Sequence, residues 1–519
     1  MIRKYLLLCA SLALFSSSVH AQKTATDIEF VRQGVKRIIF DEQQRIPLAE
    51  LKPKTVVGLS AMHPAIHSDT THPAKLSIDQ GKLQVSSSAS RESWLWLSGF
   101  NPFATYSLDL ETVDGPAAVG FEFRSPVADQ GMRITVHSEQ GVLKDIRYQV
   151  WGTEAPAKGS MKVENFGRQP MKGVLLVQLL GSGLVVYLQQ DDLPQVVGQL
   201  DFNHWIDLRE RERIQKFQTW VYFQTHQSRI SINKAAVDLT TGTGLADIRA
   251  ITYEDGTPLL DQGRLWYTMT MRGRALPHHL QGVFSMDPTA FDIRFEGAIV
   301  FDRQDGLLRN EVASHLFYDR LDSVWRGVTT GFSAYADLEN EEKELLVIES
   351  KQDPRFGFSI MNAREMGQVG DIEDAHMLYD SQAGKWRMLT CENRDAGYKA
   401  VMLESDHWDH GYRQIAGPVV HNSTGTSIQR IAGKLYCFSG SDQRDVFIYS
   451  YPDLKELGTL NMDLPPWDET SNTRVWPNVV EMPEGYPARY LALMMDRFNF
   501  PGIQGNNWTY GALYLYYGY

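Results

Sequence analysis

Cysteine is nearly absent, with three in 519 residues. Cys9 lies in an N-terminal apolar stretch, which leaves Cys391 and Cys437 for the rest of the chain. Two cysteines are too few for a disulfide framework, and no His/Cys spacing around them matches a zinc site. Stability must come from buried apolar surface. No later apolar run approaches the ~20 residues of a membrane-spanning helix, so no membrane insertion is expected. Positive charge is in deficit too: 51 Lys and Arg stand against 63 Asp and Glu, a net charge of −12. An acidic chain without basic clusters suits phosphate poorly, which argues against nucleic acid and acidic membrane surfaces as partners. A neutral or locally selected ligand fits better.

What the chain does have begins with an export signal. Arg3 and Lys4 precede an apolar run from Leu6 to Phe15, and Val19-His20-Ala21 offers a small-residue cleavage site. This pattern predicts a signal peptide over residues 1–21, cleaved after Ala21, and a periplasmic or secreted protein. Cys9 sits inside the run rather than after it, which argues against a lipid anchor. The 12 Trp, 22 Tyr and 23 Phe, beside 41 Gly and 22 Pro, suit many short strands and turns with flat apolar surfaces to spare for sugar rings.

The periodicity predicts an all-β protein. From Lys75 to Leu239, runs such as KLSIDQGKLQVSS, AVGFEFRS, MRITVHS and WVYFQTH alternate with period two between Gly, Asp, Asn or Pro. About ten such strands predict a β-sandwich, jelly-roll or concanavalin-like, over 75–240, with one short helix in the charged stretch Phe202 to Lys216. Residues 22–74 read as a lead-in with a short helix over Asp27 to Arg37. Residues 241–519 hold a repeat: strand, polar turn, then a strand opening on Trp266, Trp325, Trp386, Leu435 or Tyr490. The spacing is that of a four-stranded blade, which predicts a five-bladed β-propeller completed by the terminal GALYLYYGY. No Trp-Asp or kelch signature marks the blades. The recurring Trp residues read as core.

Inner strands of a propeller converge on a channel, so acids at their starts meet at one mouth. Asp247, Glu311, and Glu373 with Asp374 stand at these starts in blades one to three. Neighbouring strand residues face opposite sides, so one of Glu373 and Asp374 is expected to face inward. Crowded carboxyls raise at least one pKa, and paired carboxyls are what glycoside hydrolysis requires. His315 and His376 recur at matching positions. With Arg249, Arg474, Trp476 and Asn478 they are candidates for substrate binding. The plainer reading of the acids is turn capping, and of the histidines a repeated structural pair.

Blade pattern and acid placement over about 270 residues resemble the five-bladed glycoside hydrolases of family 43 and relatives such as families 117, 137 and 143. The resemblance implies Asp247 as base, Glu311 as tuning residue and Glu373 as acid, although blade two carries Glu where family 43 has Asp. It implies an oligosaccharide or polysaccharide substrate and no cofactor or catalytic metal. Scattered oxygen ligands would leave no spacing by which a structural calcium could be read. A non-catalytic glycan- or protein-binding propeller and a polysaccharide lyase are the competing readings.

Overall fold

The computed structural model describes residues 24–519 apart from 51–66, 70–73, 162–169, 192, 274–278, 395–396, 443–444, 464–475 and 496–510. The expected signal peptide and Arg474 lie outside the described residues.

Period-two alternation builds two antiparallel sheets of seven and eight strands in the first half. Their inner faces meet through side chains such as Tyr106 of one and Phe121 and Phe123 of the other, with ring centroids 5.6 and 4.8 Å apart. Buried aromatics of this size each contribute roughly 1.5–3 kcal/mol by leaving water. In the charged stretch only Arg211–Lys216 is helical, with Ile214 as its buried residue, because one apolar side chain gives a longer helix nothing to bury. Arg211 pairs with Asp302 at 2.6 Å, tying this stretch to the second half.

The second half is a ring of five blades. Blade one runs Leu245–Ala250, Arg264–Arg272, His279–Asp287, Asp292–Asp302. Blade two runs Val312–Asp319, Val324–Thr330, Glu344–Ser350, Gly357–Val369. Blade three comprises Ile372–Asp380, Lys385–Arg394, Gly397–Ser405 and Arg413–Ala416. Blade four comprises Thr424–Ile431, Lys434–Gly440, Val446–Ser450 and Glu456–Thr459. Between successive blades lie separate apolar cores: Leu316 with Trp266 and Trp325, Val328 with Met377, Leu389 with Ile428, and Phe438 with Val479. A fifth, joining Leu493 and Met495 of blade five to Met269 of blade one, closes the circle and merges with the core of the two sheets in the first half.

The closing blade departs from the sequence reading of residues 22–74. The expected helix over Asp27 to Arg37 is a strand, Glu29–Lys36, preceded by a single 3-10 turn at Ala25–Asp27. It pairs antiparallel with the terminal strand Leu513–Gly518 and becomes the fourth strand of blade five after Val479–Glu481 and Tyr490–Met495. Phe30 is buried in the core shared with blade four, and Gly34, a poor helix former, sits at a break in register. Backbone pairing with a ready-made edge outweighs local helix propensity.

Blades one and two are also joined at their outer strands. Gly297 to Asp302 pair in parallel with Gly357 to Asn362, so the two blades form one sheet wrapped around its own core. A Cβ on Gly297 would stand 2.8 Å from the backbone nitrogen of Gly357, so glycine permits the approach. The repeat markers Trp266 and Trp325 are buried here, as expected. They hold the Arg355 guanidinium between them, 4.3 and 5.1 Å from their rings.

Candidate active site

The innermost strands of blades one to four carry one shared irregularity. Pairing with the second strand breaks at Ala246/Arg249, Val312/His315, Glu373/His376 and Thr424/Ser427. Inside each break one residue is left-handed: Asp247 at φ 52°, Ala313 at 55°, Asp374 at 62° and Gly425 at 61°. These are β-bulges, which re-aim side chains and recur beside functional sites. They set the true equivalence between blades, which is Asp247, Ala313, Asp374 and Gly425.

This equivalence reorders the predicted acids. Asp247, Glu373 and Asp374 line one pocket with Arg272, His279, Thr330 and Phe332, and it has about 30 Å³ of free space, room for a water or two. Both members of the Glu373-Asp374 pair reach it, contrary to strict alternation, because the bulge at Asp374 interrupts the two-residue period. Glu311 does not line it. That carboxyl is fully buried two residues before the blade-two bulge, where it accepts hydrogen bonds from Arg303 and from the Ser333 backbone and hydroxyl. Blade two offers Ala313 at the bulge instead of an acid.

The three pocket acids have different partners. Asp247 is ion-paired with Arg272, one nitrogen lying 3.0 and 3.1 Å from its two oxygens. Glu373 pairs with Lys343 at 2.7 Å, and Lys343 also donates to Asp371 at 2.7 Å and to the Tyr398 hydroxyl at 3.1 Å. Burial alone would lower the Lys343 pKa, but the Glu373 charge and this ring of acceptors outweigh it and push the pKa well above its ordinary value. Asp374 accepts from the Gly425 backbone N–H at 2.8 Å, with the Cys391 thiol 3.8 Å from the same oxygen. Burial, then the charge of Glu373, push its pKa up to about 7, against the pull of Arg249.

The other predicted residues among those described do not line this pocket. Arg249 is fully buried and reaches across the channel to the backbone oxygens of Asp374 and Thr426, pinning blade one to blades three and four. Trp476 donates to the Ile248 oxygen at 2.8 Å and packs on Gly425, where a Cβ would come within 2.6 Å of the indole. Asn478 accepts from the Ala250 backbone at 3.2 Å. His315 and His376 stack at 3.9 Å between blades two and three, both fully buried. His315 accepts from the Met377 N–H and contacts the Thr252 hydroxyl, and burial lowers its pKa to about 3. These are the contacts of a structural pair. Arg272, His279, Lys343 and Phe332 complete the site and were not singled out as site residues from the sequence, because they lie at the connections between second and third strands and not at inner-strand starts.

Among the described residues, Glu373, Asp374 and Cys391 form one group whose ligand atoms lie within 4.8 Å of one another. Their lone pairs already serve Lys343 and the Gly425 N–H, and burial pushes the Cys391 thiol far above its ordinary pKa, away from the thiolate a metal prefers.

No family model matches the chain, and no curated protein matches it. Solved structures do. Bacillus subtilis levansucrase aligns at 12% identity over 53% of this chain and 86% of its own, TM-score 0.36. A GH43_1 enzyme from Xanthomonas citri aligns at 10%, over 52% and 87%, TM-score 0.35. A family 117 glycoside hydrolase from the marine bacterium Zobellia galactanivorans aligns at 10%, over 53% and 85%, TM-score 0.37. At this level no activity passes from them to this chain, and the propeller stands on its strand pairing and five inter-blade cores.

Proposed function

We propose that the protein is an exported glycoside hydrolase acting on a polysaccharide-derived oligosaccharide, with the two-sheet unit as support or accessory sugar-binding module. One observation carries this reading: aspartates at the equivalent bulge of blades one and three share a pocket, one held in an ion pair and the other with its pKa raised to about 7, so that a protonated fraction persists near neutrality. Glycosidic cleavage needs this division, a proton donor for the leaving oxygen opposite a carboxylate that activates water or attacks the sugar. Asp374 is the donor and Asp247 the carboxylate. Glu373, anchored by Lys343, takes the tuning role that Glu311 had on the sequence.

The small free volume at these acids favours a second reading, a non-catalytic propeller. Purified protein screened against aryl glycosides and oligosaccharides separates the two. Hydrolysis lost by roughly a hundredfold or more in both Asp247→Asn and Asp374→Asn supports the first. Activity retained in both variants, or an unsaturated product absorbing in the ultraviolet, sinks it.

A further inference from the structure

The seven-stranded sheet of the first half turns one face to the core and the other away from it. Phe121 and Phe123 point into the core, so Glu122 between them points out. Strand register places Trp94, Trp220 and Tyr222 on that outer face, with Arg133 opposite Glu122 and Trp151 opposite Gly131. Outward positions of an antiparallel sheet are ordinarily polar, and this group of rings breaks that pattern.

The rings orient an arginine. The Arg133 guanidinium lies 4.0 Å from the Tyr222 ring and 5.8 Å from those of Trp94 and Trp151. Its Nε donates to Glu122 at 2.6 Å, and Glu122, only 1% exposed, also accepts from the Trp94 indole at 3.0 Å. Plane and Nε are thus both fixed. The two terminal nitrogens make no hydrogen bond among the described residues, and both keep contact with solvent, the side chain being 20% exposed. A guanidinium held in this way presents a fork matched to the two oxygens of a carboxylate.

Four residues along the same strand, about 13 Å away, His137 lines a cavity of about 210 Å³ with Gln224 and Ser90. The charged groups at this cavity are already paired, Lys144 with Glu139 at 2.6 Å and Arg147 with Asp145 at 3.1 Å. Burial, then the Arg147 charge, lower the His137 pKa to about 4, so its ring is neutral at pH 7. One ring nitrogen bonds the Thr135 hydroxyl at 2.9 Å. The other, like the Gln224 amide, is open to solvent with no hydrogen-bond partner among the described residues. A lining of neutral donors and acceptors suits the hydroxyls of one sugar ring.

We infer that this face binds an acidic oligosaccharide. One uronate sets its carboxylate on the Arg133 fork and its ring against Trp94 and Trp151, and a further ring of the same chain occupies the cavity at His137 and Gln224. The inference rests on the proposed reading of the two-sheet unit as a sugar-binding module, and uses none of the propeller acids.

Calorimetric titration of the full-length protein tests it, with short oligomers of galacturonate, mannuronate and glucuronate as probes and their methyl esters as uncharged controls. At least one acid series should bind, and its ester at least tenfold more weakly. Arg133→Lys keeps the charge beside Glu122 but loses the fork, and should weaken binding roughly tenfold or more. Gln224→Ala should weaken it severalfold, and cooperative unfolding of both variants checks that they fold. No binding by any acid series, equal binding of the esters, or unchanged affinity in either variant overturns the inference. Binding without hydrolysis sinks the catalytic reading and leaves this one standing; hydrolysis with affinity unchanged in Arg133→Lys does the reverse.

Discussion

Replacing Glu373 by Gln tests the electrostatic logic of the pocket without knowledge of the substrate. The charge of Glu373 raises the Asp374 pKa, and their ligand atoms lie within 4.8 Å. At that separation and an effective dielectric of about 20, two unit charges interact by about 3 kcal/mol, roughly two pH units. Lys343, 2.7 Å from Glu373, offsets part of this field. The Asp374 midpoint should therefore fall from about 7 by roughly one unit in Glu373→Gln. The assay is carboxyl-carbon NMR on aspartate-labelled protein, the Asp374 signal being assigned by its loss in Asp374→Asn. Stability should follow. A carboxyl raised in the folded state stabilises fully below its unfolded pKa of about 4, and that contribution is lost as pH rises through about 7. Glu373→Gln should thus narrow the gap in melting temperature between pH 5 and pH 8. If the protein hydrolyses glycosides, the alkaline limb of its rate profile should move to lower pH by the same amount. An Asp374 midpoint unchanged in the variant, or already in the ordinary carboxylate range in the native protein, would refute the reasoning.

Arg249→Met should move Asp374 the other way, upward, because the guanidinium pulls its pKa down; the same NMR titration reads it. Phe30→Ala should cost about 3–5 kcal/mol in thermal or denaturant unfolding, because its ring fills the core where the N-terminal strand closes the ring of blades. His376 is fully buried with neither ring nitrogen hydrogen-bonded. His376→Met should therefore be neutral or stabilising at pH 7, and should reduce the stability lost as pH falls from about 6.5, where unfolded histidine gains a proton that buried His376 resists.

The legible parts of this molecule were those written in periodicity. GALYLYYGY reads as a strand that completes a blade, and it forms Leu513–Gly518, the third strand of blade five, because its run of aromatics and aliphatics between Gly511 and Gly518 leaves little else for the segment to be. The partner that completes the closure was missed. Glu29–Lys36 is one short strand that does not pair with the next strand in sequence, Arg45–Pro47, and its edge is supplied by the far end of the chain. Local pattern carries no record of that.

Glu311 was misplaced in a more instructive way. Aligning blades by the first acid of each inner strand set Glu311 beside Asp247, whereas the physical repeat is a backbone feature, a left-handed residue inside a bulge. The residues that adopt it are Asp, Ala, Asp and Gly, and one of the four is glycine, the type whose presence would have announced a positive φ. Aspartate tolerates that conformation better than most side chains, so an acid at the bulge answers both a backbone and a chemical demand. Alanine at 313 answers neither. Holding Ala313 there with no glycine and no local side-chain hydrogen bond costs on the order of 1 kcal/mol or more, which neighbouring pairing must offset. That blade two keeps the strained geometry without the acid shows the bulge to belong to the inner strands of blades one to four and not to the acids. Asp247 and Asp374 inherit their common aim from that geometry, and their division into an ion-paired carboxylate and a carboxyl of raised pKa comes from what surrounds them: Arg272 at one, burial and Glu373 at the other.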